Sequence, residues 1–391
     1  MKIEMSKSRK LLFYVTMMLT NIAVMGELVM APIIYQFYEV FYYDIPGVNF
    51  IVSGPTLIMV IASLLTPMLC AKTSKKNVLL LGGILFTVGA VFGAAVESIP
   101  FIIAMRILVG AGEGIVNVAA MALIAEVFVD EEKRGMFMGV YSSGMCIFGA
   151  IMSTLSGILS ESGWQASFKV YWSAVVMVIF MVMFLPSIAP EKEEKTTVSK
   201  QKKEPCGTKF WIMLAIYAVA NLSYAMITYY TSSYIAENEI GGPTFAGLAS
   251  SVTSIAGFFT GLAFGKLYQK FGDRTGALSY LISTVGIIVL VLFQNVFSAF
   301  AGCFLAGAGY GLLNPYAYAA ASFLVPPSRI DDSMSYVTIA YSLPMFLSTY
   351  FVTFLMDVMK TQLITPTWVV AAVIYGLCIL AALVTTKKHT D

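Results

Sequence analysis

Charge is scarce in this sequence and histidine is nearly missing. Of 391 residues only 12% are charged, where soluble proteins carry about a quarter, and that shortage excludes an ordinary water-solvated surface. The single histidine, His389, removes histidine metal sites and histidine general-base catalysis. Five cysteines, an odd number, are scattered at Cys70, Cys146, Cys206, Cys303 and Cys378 with no CxxC pair, which predicts neither a disulfide nor a metal cluster. There is no nucleotide-binding loop and no nucleophile–base constellation, so the sequence does not read as an enzyme or as the holder of a cofactor. What is present is apolar mass: 58% hydrophobic residues and a mean hydropathy of +0.81, the composition of a polytopic membrane protein.

Hydropathy predicts twelve apolar segments, near 11–38, 46–70, 77–95, 99–128, 136–160, 168–188, 210–236, 243–268, 276–294, 296–325, 333–358 and 366–386. Each approaches or exceeds the roughly 20 residues that cross a bilayer, and the longer ones predict tilted helices with projecting ends. The first follows a basic start but is too long and lacks a small-residue cleavage site, so it reads as an uncleaved helix. Of the 24 lysines and arginines, 21 fall before segment 1, after the last segment or in alternate loops. The opposite side receives only Lys169 and Lys360, and Arg106 stays within a segment. The positive-inside rule then places both termini in the cytoplasm of a cell whose plasma membrane the chain spans.

One long polar interruption, 190–209, is rich in lysine and glutamate and too poor in apolar residues to bury a core, so it reads as a cytoplasmic linker. It separates an N-terminal six-helix part, 1–189, from a C-terminal one, 210–391. The two parts repeat. "GAGEGIVNVAAMA" at 110–122 aligns without a gap on "GAGYGLLNPYAYA" at 307–319, an offset of 197, and "PMLCAKTSKK" at 67–76 matches "GKLYQKFGDR" at 265–274 at an offset of 198. Two matches at nearly one offset identify two copies of one unit.

The second of those loops resembles the Gly-x-Leu-x-Asp-Arg-x-Gly-Arg-Arg signature of the major facilitator superfamily, with Gly265, Leu267, Lys270, Gly272 and Arg274 in place and Gln269 where the family has aspartate. The first keeps Leu69, Lys72, Lys75 and Lys76, while Pro67, Ala71 and Ser74 replace the glycine, aspartate and second glycine. Arg106 with Gly110 and Gly112 resembles the superfamily's fourth-helix Arg-x-x-x-Gly-x-Gly. The resemblance covers essentially the whole chain. It implies an all-α membrane protein of twelve transmembrane helices in two pseudo-symmetric six-helix bundles around a central cavity lined by helices 1, 4, 7 and 10, with the two loops as gating latches.

On a helical wheel Gly110, Glu113 and Asn117 fall within about 40° of Arg106, so one stripe of the fourth segment carries a cation, a glycine, an acid and an amide. The matching stripe of the tenth is Cys303, Gly307, Tyr310 and Asn314, the same frame without charge. The seventh shows Tyr217, Asn221, Tyr224, Thr228 and Ser232 at helical spacing. Tyrosine can stack on a substrate and donate a hydrogen bond; such residues also serve to hold membrane helices together. Glu27 is a third ionisable residue at membrane depth, where a charge costs at least about 2.5–3.5 kcal/mol. These groups predict proton coupling through Glu27, Glu113 and Arg106, and substrate binding by Arg106, Asn117, Tyr217, Asn221, Tyr224, Thr228, Tyr310 and Asn314. A permanent ion pair of Arg106 with either acid, without a transport role, fits the same spacing.

The Arg-x6-Glu spacing of Arg106 and Glu113 resembles the anion:cation symporter branch, which implies proton-coupled uptake of organic anions. Glu27 stands alone where that branch has an Asp-Arg pair. Ser153 and Thr154 stand where multidrug antiporters have Gly-Pro. The reading is therefore a secondary active transporter of a small organic solute, an organic anion first and lipophilic or drug-like compounds for export second. Its partners are that solute, protons and lipid, with no nucleic acid, and it is expected to be a monomer. Among the remaining charges, Glu126, Asp130, Glu131, Glu132, Lys133 and Arg134 are expected to make interfacial salt bridges, Asp357 and Lys360 to be solvated, and Pro315 and Pro344 to kink their helices.

Overall fold

The computed structural model describes residues 6–128, 131–187, 205–326 and 329–386. Residues 190–204 of the predicted linker, Asp130 and His389 lie outside the described residues, as do the side chains of Glu131, Glu132, Lys133 and Arg134. The described residues form helices and no strands. Eleven helices are long and apolar enough to cross a membrane, and the bent pair Lys7–Val24 and Gly26–Val40 makes a twelfth span. Counting that pair as helix 1, the others are helix 2 (Ile45–Lys72), helix 3 (Lys75–Phe92), helix 4 (Ile99–Val127), helix 5 (Glu131–Leu159) and helix 6 (Trp164–Phe184). Helices 7 to 12 are Thr208–Glu237, Pro243–Phe271, Arg274–Leu292, Val296–Leu324, Ile330–Met359 and Thr365–Thr386. The chain is an all-α, multi-pass membrane protein of two six-helix bundles.

Local chemistry sets many of the helix starts. Asp44 accepts from the Gly47 N–H at 3.0 Å, Ser74 from Asn77, and Asn295 with Ser298 forms a reciprocal capping box, each satisfying donors that the first turn leaves open. Large apolar side chains such as Leu64, Leu65, Met68, Val182, Met183 and Leu380 are exposed, as lipid-facing surface requires.

Packing divides the chain into two units, Met1–Glu194 and Lys195–Asp391. Within the first, helix 4 is held between helices 2 and 3. A Cβ on Gly110 would strike the Pro55 backbone, one on Gly112 the Gly82–Phe86 backbone, and one on Gly114 the Met59 carbonyl. Within the second, Gly307 lies on Thr253, Gly309 on Ser279 and Ser283, and Gly311 on Gly257. Every one of these contacts recurs at an offset of 197 or 198 residues. The sequence repeat is therefore a repeat of backbone approaches, with glycine at each crossing because no side chain fits.

Helix 1 departs from the uninterrupted 11–38 helix expected of its apolar run. It is broken near Met25 and bent by 56°, and 3-10 turns cover Gly26–Val29 and Ala31–Ile33. Pro32 accounts for the second 3-10 turn, since it offers no N–H to the Leu28 or Val29 carbonyl and its ring crowds that turn; the break at Met25 lies seven residues earlier. Pro315 and Pro344, by contrast, lie inside helices 10 and 11 without interrupting either. Helix 2 likewise runs through Pro55 and Pro67.

Candidate functional site

The broken turn of helix 1 carries Glu27. In an α-helix the Gly26 and Val29 carbonyls would accept from Met30 and Ile33, but those N–H groups bond Glu27 and Met30 instead. The Gly26 carbonyl keeps the Val29 N–H as its 3-10 partner and gains a second donor, the Tyr171 hydroxyl at 2.9 Å. The Val29 carbonyl, which faces Pro32 one 3-10 turn on, is met by the Ser156 hydroxyl. Backbone out of helical register inside a bundle is tolerated only when its polar groups are met in this way.

Arg106 reaches Glu27 from helix 4, its Nη2 2.6 Å from the Glu27 Oε2. Its Nε donates to the Ile51 carbonyl at 2.9 Å. That carbonyl is available because Pro55, one turn on, has no N–H to offer it. A proline in helix 2 thus creates the acceptor that orients the guanidinium, and Arg106 is held by helices 1 and 2 together. The Arg106 side chain is 1% exposed and that of Glu27 18%.

Glu113 lies on helix 4 two turns from Arg106, about 10 Å along the axis. It is 4% exposed and lies within electrostatic range of both Glu27 and Arg106. Its Oε2 is buried without a hydrogen-bond partner among the described residues, as are Glu27 Oε1 and Arg106 Nη1. The cluster therefore holds two acids against one cation. Asn117, on the same stripe, is half-buried.

The second unit assembles the uncharged residues. The Tyr217 hydroxyl donates to Asn314 Oδ1 at 2.9 Å, joining helix 7 to helix 10. One turn away on helix 10 and two on helix 7, Tyr310 and Tyr224 stack with centroids 3.9 Å apart and planes 7° from parallel, and Tyr341 lies beside Tyr310 at 6.3 Å. Asn221 is fully buried, donates to the Tyr217 carbonyl at 2.8 Å, and leaves its Oδ1 unpartnered. Thr228 bonds back to the Tyr224 carbonyl. Four predicted residues, Tyr217, Tyr224, Tyr310 and Asn314, thus meet between helices 7 and 10, while Asn221 and Thr228 bond back within helix 7.

The two signature loops differ. In the first, Lys75 pairs with Glu126 of helix 4 at 3.2 Å and Lys76 donates to the Val182 carbonyl of helix 6 at 2.8 Å, while Lys72 is exposed. In the second, Gly272 adopts φ +54, a left-handed conformation that glycine enters without strain. Lys270 lies 5.4 Å over the Phe271 ring, and Gly265, Gln269 and Arg274 are at least partly exposed.

Sequence reasoning missed Tyr171, Ser156 and Pro55, and also Glu237, whose carboxylate accepts the Ile364 N–H at 2.7 Å beside the start of helix 12. A proline was the available signal at two points: Pro55 marks the Ile51 carbonyl that Arg106 meets and Pro32 the Val29 carbonyl that Ser156 meets, while nothing in the sequence marks Tyr171 or Glu237.

A family model, the Major Facilitator Superfamily, matches residues 16–349 and 215–390. The human synaptic vesicular amine transporter is 26% identical over 234 residues, 58% of this chain and 45% of its own length, so the chain spans about half of that relative. The multidrug resistance protein MdtL of Shigella dysenteriae is 23% identical over 265 residues, covering 65% of this chain and 66% of its own. The crystal structure of a D-xylose-proton symporter superposes with a TM-score of 0.76 at 15% identity, over 96% of this chain and 97% of that one, which establishes the shared fold. With its twelve spans, its glycine-crossed repeat and its helix 4 arginine, the chain belongs to the Major Facilitator Superfamily, a family of membrane transporters rather than of enzymes.

Proposed function

We propose that this chain is a secondary active transporter that moves a small organic solute by alternating access and is driven by protons. The observation that carries the reading is the acid excess in the first unit: Arg106 is engaged by Glu27, and Glu113 is buried with an unpartnered oxygen. A buried acid without its own counter-cation is neutralised by a proton or by a bound cation. Glu113 is the proton carrier in this reading, with Glu27 and Arg106 as the pair that senses its charge. Asn117, Tyr217, Asn221, Tyr224, Thr228, Tyr310 and Asn314 contact the solute. The parts 1–189 and 210–391 are the bundles that rock, the stretch 190–209 their tether, and the signature loops their latches. In this reading the chain works as a monomer in the plasma membrane, and the bias of lysine and arginine supports both termini lying in the cytoplasm.

The charge count favours exchange of protons for an organic cation, the export reading. A proton and an ammonium group compete for one carboxylate, and the amine and multidrug names of two relatives agree in kind. Proton-coupled uptake of an organic anion is the second reading, supported by Arg106 Nη1, a buried donor with no partner among the described residues. Proteoliposomes separate the two. Inside-acid vesicles that accumulate ethidium support exchange, and inside-alkaline vesicles that accumulate glucuronate support symport. In the symport reading Glu113→Gln should abolish gradient-driven accumulation and spare solute exchange, whereas in the exchange reading, where cation and proton share the carboxylate, it should abolish both. Gradient-driven accumulation that survives Glu113→Gln would remove Glu113 from the proton role.

A further inference from the structure

The hydroxyl of Tyr171 occupies a place that no role above requires. Tyr171 is fully buried at the start of helix 6, its ring edge-on to Phe86 at 5.9 Å and to Phe168 at 5.5 Å. Phe86 fills the space where a Cβ on Gly26 would be, so ring packing alone accounts for the aromatic side chain. The oxygen has a second task. It donates to the Gly26 carbonyl, a second donor there beside the Val29 N–H of the 3-10 turn, and that carbonyl belongs to the residue immediately before Glu27. The same oxygen lies beside the Arg106 guanidinium.

We infer that Tyr171 is a positioning residue for the Glu27–Arg106 pair: its hydrogen bond to Gly26 fixes the 3-10 turn so that the Glu27 carboxylate meets Arg106. Two constraints then converge on one ion pair. Pro55 leaves the Ile51 carbonyl to orient the guanidinium, and Tyr171 ties the 3-10 turn that carries the acid to helix 6, where the guanidinium can reach it. Ser156 secures the far end of the turn at Val29. Without the Tyr171 hydroxyl the Gly26 carbonyl keeps only its 3-10 partner, the turn loses its tie to helix 6, and the Glu27 carboxylate shifts away from Arg106.

The consequence for coupling rests on the proton role proposed above, but the test does not. The full-length protein in lipid nanodiscs is treated with dicyclohexylcarbodiimide, which modifies protonated carboxyl groups, and labelling at Glu27 is followed by mass spectrometry across pH. Arg106→Gln sets the rate for an unpaired Glu27. Tyr171→Phe keeps both ring contacts and should label Glu27 about fivefold faster than the parent, the population change that one lost hydrogen bond produces. Its pH profile should be displaced toward that of Arg106→Gln. Ser156→Ala should move it less. Labelling of Tyr171→Phe that matches the parent in rate and profile overturns the inference, as does a parent that already labels as fast as Arg106→Gln. Because transport is not the readout, a failure of Glu113→Gln to uncouple proteoliposomes would remove the proton role and leave the positioning role standing.

Discussion

Helix 4 and helix 10 are one scaffold carrying two chemistries. Their glycines cross the neighbouring helices at equivalent points, Gly110 on Pro55 and Gly307 on Thr253, yet the side chains between those crossings have diverged. Arg106 stands opposite Cys303 and Glu113 opposite Tyr310, and of the polar positions on the stripe only Asn117 and Asn314 agree. In the first unit the stripe forms an ion pair with an extra acid; in the second it forms a tyrosine stack and a Tyr217–Asn314 hydrogen bond. The backbone geometry that lets helices approach is thus separable from the polar groups displayed upon it. Duplicated bundles can keep the first and change the second.

The comparison can be broken most severely at the charged stripe. Arg106→Gln leaves the Glu27 carboxylate without its partner, and removing one member of a buried pair costs about 3–5 kcal/mol; the thermal midpoint of the purified protein should fall sharply. The matching change in helix 10, Cys303→Ala, should cost less than about 1.5 kcal/mol. Equal losses would show that the two stripes are not chemically distinct. Gly110→Leu and Gly307→Leu test the shared scaffold and should each destabilise by about 1–3 kcal/mol or more. Tolerance of one but not the other, read by unfolding or by monodispersity in detergent, would mean that the crossings are not equivalent. Tyr217→Phe removes one hydrogen bond in the second unit and should cost about 0.6 kcal/mol, the average for such bonds between membrane helices. Lys75→Ala should change stability by about 0–1 kcal/mol, because its pair with Glu126 is partly exposed.

The sequence conveyed the number of spans, the repeat and the superfamily because each is written in composition or in spacing along one helix. The helical wheel also brought together residues that do act together: Tyr217 with Asn314 and Tyr224 with Tyr310 come from stripes read separately in helices 7 and 10. It was blind to the fracture at Gly26, since apolar residues continue through "GELVMAP" and hydropathy does not register a change of backbone hydrogen-bond pattern. It was equally blind to what Pro55 does. Arg106 and the Ile51 carbonyl are 55 residues apart in sequence, and the link between them depends on how helices 2 and 4 cross. Tyr171 and Gly26, 145 residues apart, could not have been joined by periodicity at all.

A straight rod pushed at one end moves at the other, and a cracked one does not. With its axis turned by 56° halfway along, the opening span of this chain is two short levers, Lys7–Val24 and Gly26–Val40, that can swing by different amounts. The carboxylate of Glu27 is mounted at the joint. A tilt of either lever therefore reaches that acid through a joint that the Tyr171 and Ser156 hydroxyls tie to the neighbouring helices.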